Sequence, residues 1–398
     1  MALSFRECSA LALGFALFAC DSAEKPATAS KPSASVALPA APSASAQPSA
    51  LAERGRSVRD VERALSELSE STEYFFSDNL ISNESSYLQV AEELSRRSGG
   101  VYLGVGPEQN FTYIALTRPE LAVILDIRRD NALLHLLYKA VFELARDRSH
   151  FLCLLLGRRY AAERAPVADA PLADVLSYVE REPRARDVFD RHHEELVRVL
   201  REKFSLVSSA TDIASLRRMH EGFFERQLEI SFELHQSSGR HYPTLRELLR
   251  QESPKRAHGS FLARDADFRF VQDLERRHRV WFVVGDFGKP AALRRVAEEL
   301  GRQKLALSSF YVSNVEQYLF GTPAWNEWLG NLAAFPLSGE SVLIRSYLDQ
   351  GKRHPSQRPG QRTASMLVPI RPFLDCEREK PSRTYFGAVT RTCPPRAP

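Results

Sequence analysis

Val101-Tyr102-Leu103-Gly104-Val105-Gly106-Pro107-Glu108-Gln109-Asn110, with Leu121-Ala122-Val123-Ile124-Leu125-Asp126 further along, is the stretch on which the reading of this chain turns. The run 101–105 is short, apolar and rich in side chains that suit a pleated strand. A Gly-x-Gly turn closes it. Pro107 falls where the first turn of a helix tolerates a missing N–H, and Phe111, Ile114 and Ala115 then supply a buried helical face. Arg118-Pro119 ends that helix, because a residue before proline is pushed out of the α region. The run 121–125 is continuously apolar, as expected of a strand buried on both faces, and it stops at Asp126. Strand, glycine turn, helix and second strand make a parallel βαβ unit.

The pattern extends in both directions. Upstream, Val58, Val61, Leu65 and Leu68 recur at helical spacing, and a second helix is expected over 87–97 before Gly99-Gly100 stops it. Downstream, Asp130 and Asn131 are placed to cap a helix reaching about 148. Helical periodicity then continues over 172–179, 188–204, 213–234 and 245–249. Strand patterns return at 280–286, 305–312, 341–344 and 365–370, with a crossover helix over 290–300. The expected fold is α/β: a Rossmann-like, mainly parallel sheet with helices on both faces and a large helical insertion at about 150–265.

The chain has 398 residues, 43% of them hydrophobic, which is enough for a large core. Its 54 basic and 50 acidic residues nearly balance, so no global charge argues for nucleic acid. Arg6 precedes an apolar run over 11–18, too short for the roughly 20 residues of a spanning helix, which reads as a signal peptide over 1–19. Leu17-Phe18-Ala19-Cys20 resembles a bacterial lipobox, which implies lipidation at Cys20 and a membrane partner through the lipid. Residues 20–52 are nearly all Ala, Ser and Pro, the composition of a flexible tether. These signals place the protein in the cell envelope, facing away from the cytosol, with a folded region over 53–375 and a tail over 376–398. Cys153 lies in an apolar run and reads as a buried thiol, while Cys376 and Cys393 are either a disulfide pair or two free thiols.

Ligands of open parallel sheets bind beyond the carboxyl ends of the strands. At those ends stand Gly104, Gly106, Glu108, Gln109 and Asn110 after the first strand, Asp126 after the second, Asp286 after the third, and Ser313, Asn314 and Glu316 after the fourth. A Gly-x-Gly turn lets a ligand approach the backbone, and an acid about 20 residues on suits ribose hydroxyls. The arrangement resembles class I S-adenosylmethionine-dependent methyltransferases, although Pro107-Glu108-Gln109-Asn110 stands where a third glycine is usual. That resemblance implies S-adenosylmethionine as cofactor, with Gly104, Gly106, Glu108, Asn110, Asp126 and Asp286 around it. An enzyme reading assigns proton handling to Glu316 or His135 and orientation of the acceptor to Asn314. The strings 104–110, 135–139 and 311–319 resemble an uncharacterised bacterial family described as methyltransferase-like, over most of 87–347.

Asn131, His135 and Lys139 share one helical stripe beside this edge, although the commoner fate of such a stripe is a solvated face. Arg128 and Arg129 are candidates to hold a phosphate or carboxylate, but arginine pairs recur along the chain and surface solvation is their default. His192-His193-Glu194-Glu195 lacks the second histidine of a zinc helix, Val197 standing in its place, and no metal site is expected. A small-molecule ligand in a methyltransferase-like domain of undefined activity is the expectation. An active methyltransferase with a misread N-terminus and a non-catalytic envelope interaction protein are the alternatives. The oligomeric state is left open.

Overall fold

The computed structural model describes residues 56–235, 241–349 and 351–394. The expected signal peptide, the expected lipidation site Cys20 and the expected tether lie outside the described residues.

The two apolar runs pair as expected. β1 (Val101–Gly104) lies parallel to β2 (Leu121–Asp126), with Val101 opposite Leu121 and Gly104 opposite Ile124. Every residue of both strands is buried, which is why neither alternates apolar with polar. β3 (Val280–Val284) joins the outer side of β2, and β4 (Leu307–Ser313) joins the other side of β1. β5 (Leu337–Leu348) follows in parallel, and β6 (Thr363–Pro369) returns antiparallel to it. The order is therefore β3-β2-β1-β4-β5-β6, all parallel except the last, which is a Rossmann-like α/β sheet. Its direction of travel reverses between β1 and β4.

The helix Gln109–Thr117 follows the glycine turn and ends where Arg118 takes a left-handed conformation ahead of Pro119. The helix Arg129–Leu144 follows β2 and departs from expectation at both ends. No side chain caps its start, and it stops short of 148 because Asp147 accepts from the His150 amide and starts a new helix, Arg148–Leu156. Its Asn131-His135-Lys139 stripe is also no solvated face. All three residues are buried because the stripe faces the protein interior, with His135 against Phe282 of β3. Lys139 instead donates to the carbonyl of Glu275 on the helix Asp265–Arg276, at 2.5 Å.

The helix expected over 87–97 is a 3-10 turn, Tyr87–Val90, and a single α-turn, Ala91–Leu94. β5 begins earlier and runs longer than its apolar core suggested. Cys376, within the helix Ile370–Glu379, is disulfide-bonded to Cys393. Cys153 is buried and free. No helix among the described residues is long and apolar enough to cross a membrane.

Residues 69–86, between the helix Val58–Glu67 and the 3-10 turn, form a strap across the carboxyl edge of the sheet. The Glu70 and Glu73 amides donate to the Val284 and Ile127 carbonyls, at the ends of β3 and β2. The Ser82 amide donates to Glu108 beside the β1 turn. Glu84 then accepts from Ser313 at the end of β4 and from Ser346 of β5, and Ser86 pairs with Ser365 of β6. The strap thus meets the strands in their spatial order.

Candidate functional site

Where the strap passes over β1, β2 and β4 it leaves a cavity of about 390 Å³. This is the switch point of the sheet, where the helices after β1 and β4 diverge and bare backbone is exposed. Gly106, Asp126, Asp286 and Asn314 line it, one from each of the first four strand ends. Gly106 has φ +80, and a Cβ there would meet nothing within 4 Å, so the turn opens its backbone toward the cavity.

Gly104 does different work. A Cβ there would fall 1.9 Å from Asn110 Oδ1 and 2.7 Å from the Tyr102 hydroxyl, so internal packing requires the first glycine. Asn110 is fully buried. Its amide donates to the carbonyls of Val105, Gly106 and Pro107 at 3.0, 3.0 and 2.8 Å, while its oxygen accepts from Tyr102 at 2.8 Å. It shapes the turn from beneath. Glu108 is also turned inward, accepting from the Ser82 amide, and burial pushes its carboxyl up to about 7.

His135 sits under the turn with Nε2 2.8 Å from the Gly106 carbonyl, so Nε2 carries the proton and donates. Its ring stacks on Phe282, and burial lowers its pKa to about 4. A neutral, sealed imidazole is not a proton shuttle for the cavity. Glu316 is sealed as well. It accepts from Arg345 Nε at 2.5 Å and from Trp328 Nε1 at 3.0 Å, with Arg345 extending over Phe373. Its position after β4 had put Glu316 at the catalytic edge, and the helical stripe had put His135 there; both side chains are instead turned into the core.

Asp126 reaches the cavity already engaged. Arg128 grips it with Nε and Nη2 at 3.1 and 3.2 Å, and the Arg128 amide adds a bond of 3.0 Å. Arg128 also donates to the Asp78 carbonyl of the strap at 2.5 Å. It is therefore a buried tie between strand end and strap, neither a free anion clamp nor a solvated surface residue. Arg129 is likewise committed, to Asp212 at 2.9 and 2.7 Å. Asp286 differs from these. One of its carboxylate oxygens accepts from the Gly288 amide at 2.8 Å, and its residue is only half-buried on the cavity wall.

The rest of the cavity is aromatic. Of the four large hydrophobic residues exposed among the described residues, three stand here: Tyr74, Phe76 and Tyr318. Phe75 and Phe76 stack at 4.3 Å, and Tyr318 closes on both at 5.9 and 6.0 Å. Tyr311, Phe287 and Phe232 complete the walls. These residues were missed from sequence, although the run Tyr74-Phe75-Phe76 in a stretch without periodicity was a usable signal. Ser313, also on the wall, holds φ +50, a left-handed conformation that is costly for a residue with a Cβ. Among the described residues no group of three or more His, Cys, Asp or Glu is arranged to hold a metal ion.

Residues 79–373 match the model of a family described as Domain of unknown function (DUF7790), which carries no assigned activity. No curated protein matches the chain.

Proposed function

The chain belongs to the DUF7790 family, and we propose that its Rossmann-like domain binds a small, nucleoside-type ligand at the carboxyl edge of the sheet. One observation carries the reading: an aromatic cavity sits at the switch point, with an open glycine backbone on one wall and an accessible carboxylate, Asp286, on another. Aromatic faces suit a planar base, and a carboxylate beside them suits its amino or hydroxyl donors. The ordered polar groups around the cavity recognise; none of Glu316, His135 or the Arg128-bound Asp126 is free to move a proton.

Calorimetric titration of the full chain with adenosine, S-adenosylmethionine and S-adenosylhomocysteine tests this. Micromolar binding that weakens on the order of tenfold in Asp286→Asn supports it. Binding by none of the three retires the nucleoside class. Asp126→Ala is a poor probe, because it strands the buried Arg128.

The second reading is methyl transfer from S-adenosylmethionine, favoured by Asn314 lining the same cavity as Gly106 and Asp286. It requires methylated product, and donor binding without turnover on any acceptor argues against it. For location we propose a lipid-anchored envelope protein, from Cys20 and the tether behind it. A diacylglyceryl mass on an N-terminal peptide beginning at Cys20 supports that, and an unprocessed Met1 peptide in the soluble fraction overturns it.

A further inference from the structure

Asn83 of the strap lines a second cavity as well, of about 620 Å³. Its other walls come from the helix Leu245–Leu249 with its flanks and from the residues that leave β5 and enter β6. Three guanidiniums reach it, from Arg246, Arg250 and Arg362. Arg246 is spent on two carboxylates, Glu180 and Glu229, each at 2.6 Å. Arg250 and Arg362 are exposed, and their side chains make no hydrogen bond or ion pair among the described residues.

The cavity also holds two carboxylates, and both are occupied. Glu247 accepts from the Thr244 amide at 2.8 Å and caps its helix. Asp349 accepts from the Gly351 amide at 2.8 Å and from the Gln357 side chain at 3.2 Å. Both remain anionic, and Glu180 acts on Arg250 electrostatically, but no carboxylate forms an ion pair with Arg250 or Arg362 among the described residues. We propose that this cavity binds an oxyanion of the phosphate class through Arg250 and Arg362. A guanidinium presents paired N–H donors that match phosphate oxygens, and the concave wall limits competition from bulk water. The site shares Asn83 with the aromatic cavity, but neither guanidinium lines that cavity, so the proposal does not rest on what the aromatic cavity binds.

The test is titration of the full chain with inorganic pyrophosphate at low ionic strength, where exposed charges are least screened. Binding should weaken on the order of tenfold for each of Arg250→Gln and Arg362→Gln. Arg256→Gln, which removes an arginine 83% exposed at its side chain and absent from the cavity wall, should leave it unchanged. Adenosine affinity should be the same in all three variants, so loss of the nucleoside reading and loss of this one are distinguishable. Displacement of pyrophosphate by ADP assigns the phosphate to a soluble nucleotide, and displacement by phosphatidylglycerol vesicles assigns it to a lipid headgroup. No pyrophosphate binding, or equal binding in the double variant and Arg256→Gln, overturns the proposal.

Discussion

On the solvent side of the turn 104–106, Gly106, Asp286 and Asn314 face a cavity walled by aromatic rings. On its core side, Glu108, Asn110 and His135 are buried and hold the turn and the strap by hydrogen bonds. Both sets follow strand ends, His135 from further along the helix after β2, and the sequence alone does not separate them. The difference is one of helical phase. Residues at the start of the helix Gln109–Thr117 and within Arg129–Leu144 rotate toward the sheet, whereas the turn residues themselves remain at the edge. A buried polar group must find partners or incur a desolvation cost, so the inner set is tightly satisfied and the outer set keeps spare hydrogen-bonding capacity.

This contrast can be broken most severely at Glu316. Glu316→Leu leaves Arg345 charged and unpaired in the core, and about 3–5 kcal/mol of unfolding free energy should be lost, read by urea denaturation. Survival with wild-type stability would mean that Arg345 finds solvent. The next effect is one of pH. Glu108 binds its proton more tightly folded than unfolded, so its contribution is fully present below the ordinary value of 4.5 and is lost as pH rises through about 7. Relative to wild type, Glu108→Gln should therefore gain up to about 3 kcal/mol as the pH rises through that window. A flat difference would show that the strap amide keeps the carboxylate charged at no cost.

Asn110→Ala removes three caps from the turn carbonyls and should cost about 1–3 kcal/mol, with ligand affinity falling because Gly106 is no longer held. The smallest change in stability belongs to the outer set. Tyr318→Ala, at a residue 46% exposed, should shift stability by no more than about 0.5 kcal/mol while weakening adenosine binding severalfold. If instead Tyr318→Ala unfolds the protein and Asn110→Ala does not, the two sets have been assigned the wrong way round.

Much of the scaffold was legible because continuous apolar runs can only be buried strands in a chain that alternates them with helices. β1, β2, β3 and the glycine turn fell where periodicity put them, and so did the helix Leu245–Leu249. The strap was not legible. It has no period, its anchors are backbone and side-chain bonds to residues far away in the chain, and Glu84 carries no local sign that Ser313 and Ser346 will enclose it. The stripe Asn131, His135, Lys139 misled for a related reason: polar residues at helical spacing signal solvent unless a second layer covers them, and that layer comes from helices as distant as Asp265–Arg276.

What the sequence by itself determined is the α/β alternation, the sheet's parallel core and the glycine turn at its carboxyl edge, since these follow from local periodicity and from the geometry of glycine and proline. Only the tertiary structure decided which polar residues meet the cavity, that Asp126 is bound by Arg128, and that three aromatic residues of the strap form the wall. Those outcomes depend on side-chain direction and long-range hydrogen bonds, and neither is set by the order of residues within a single element.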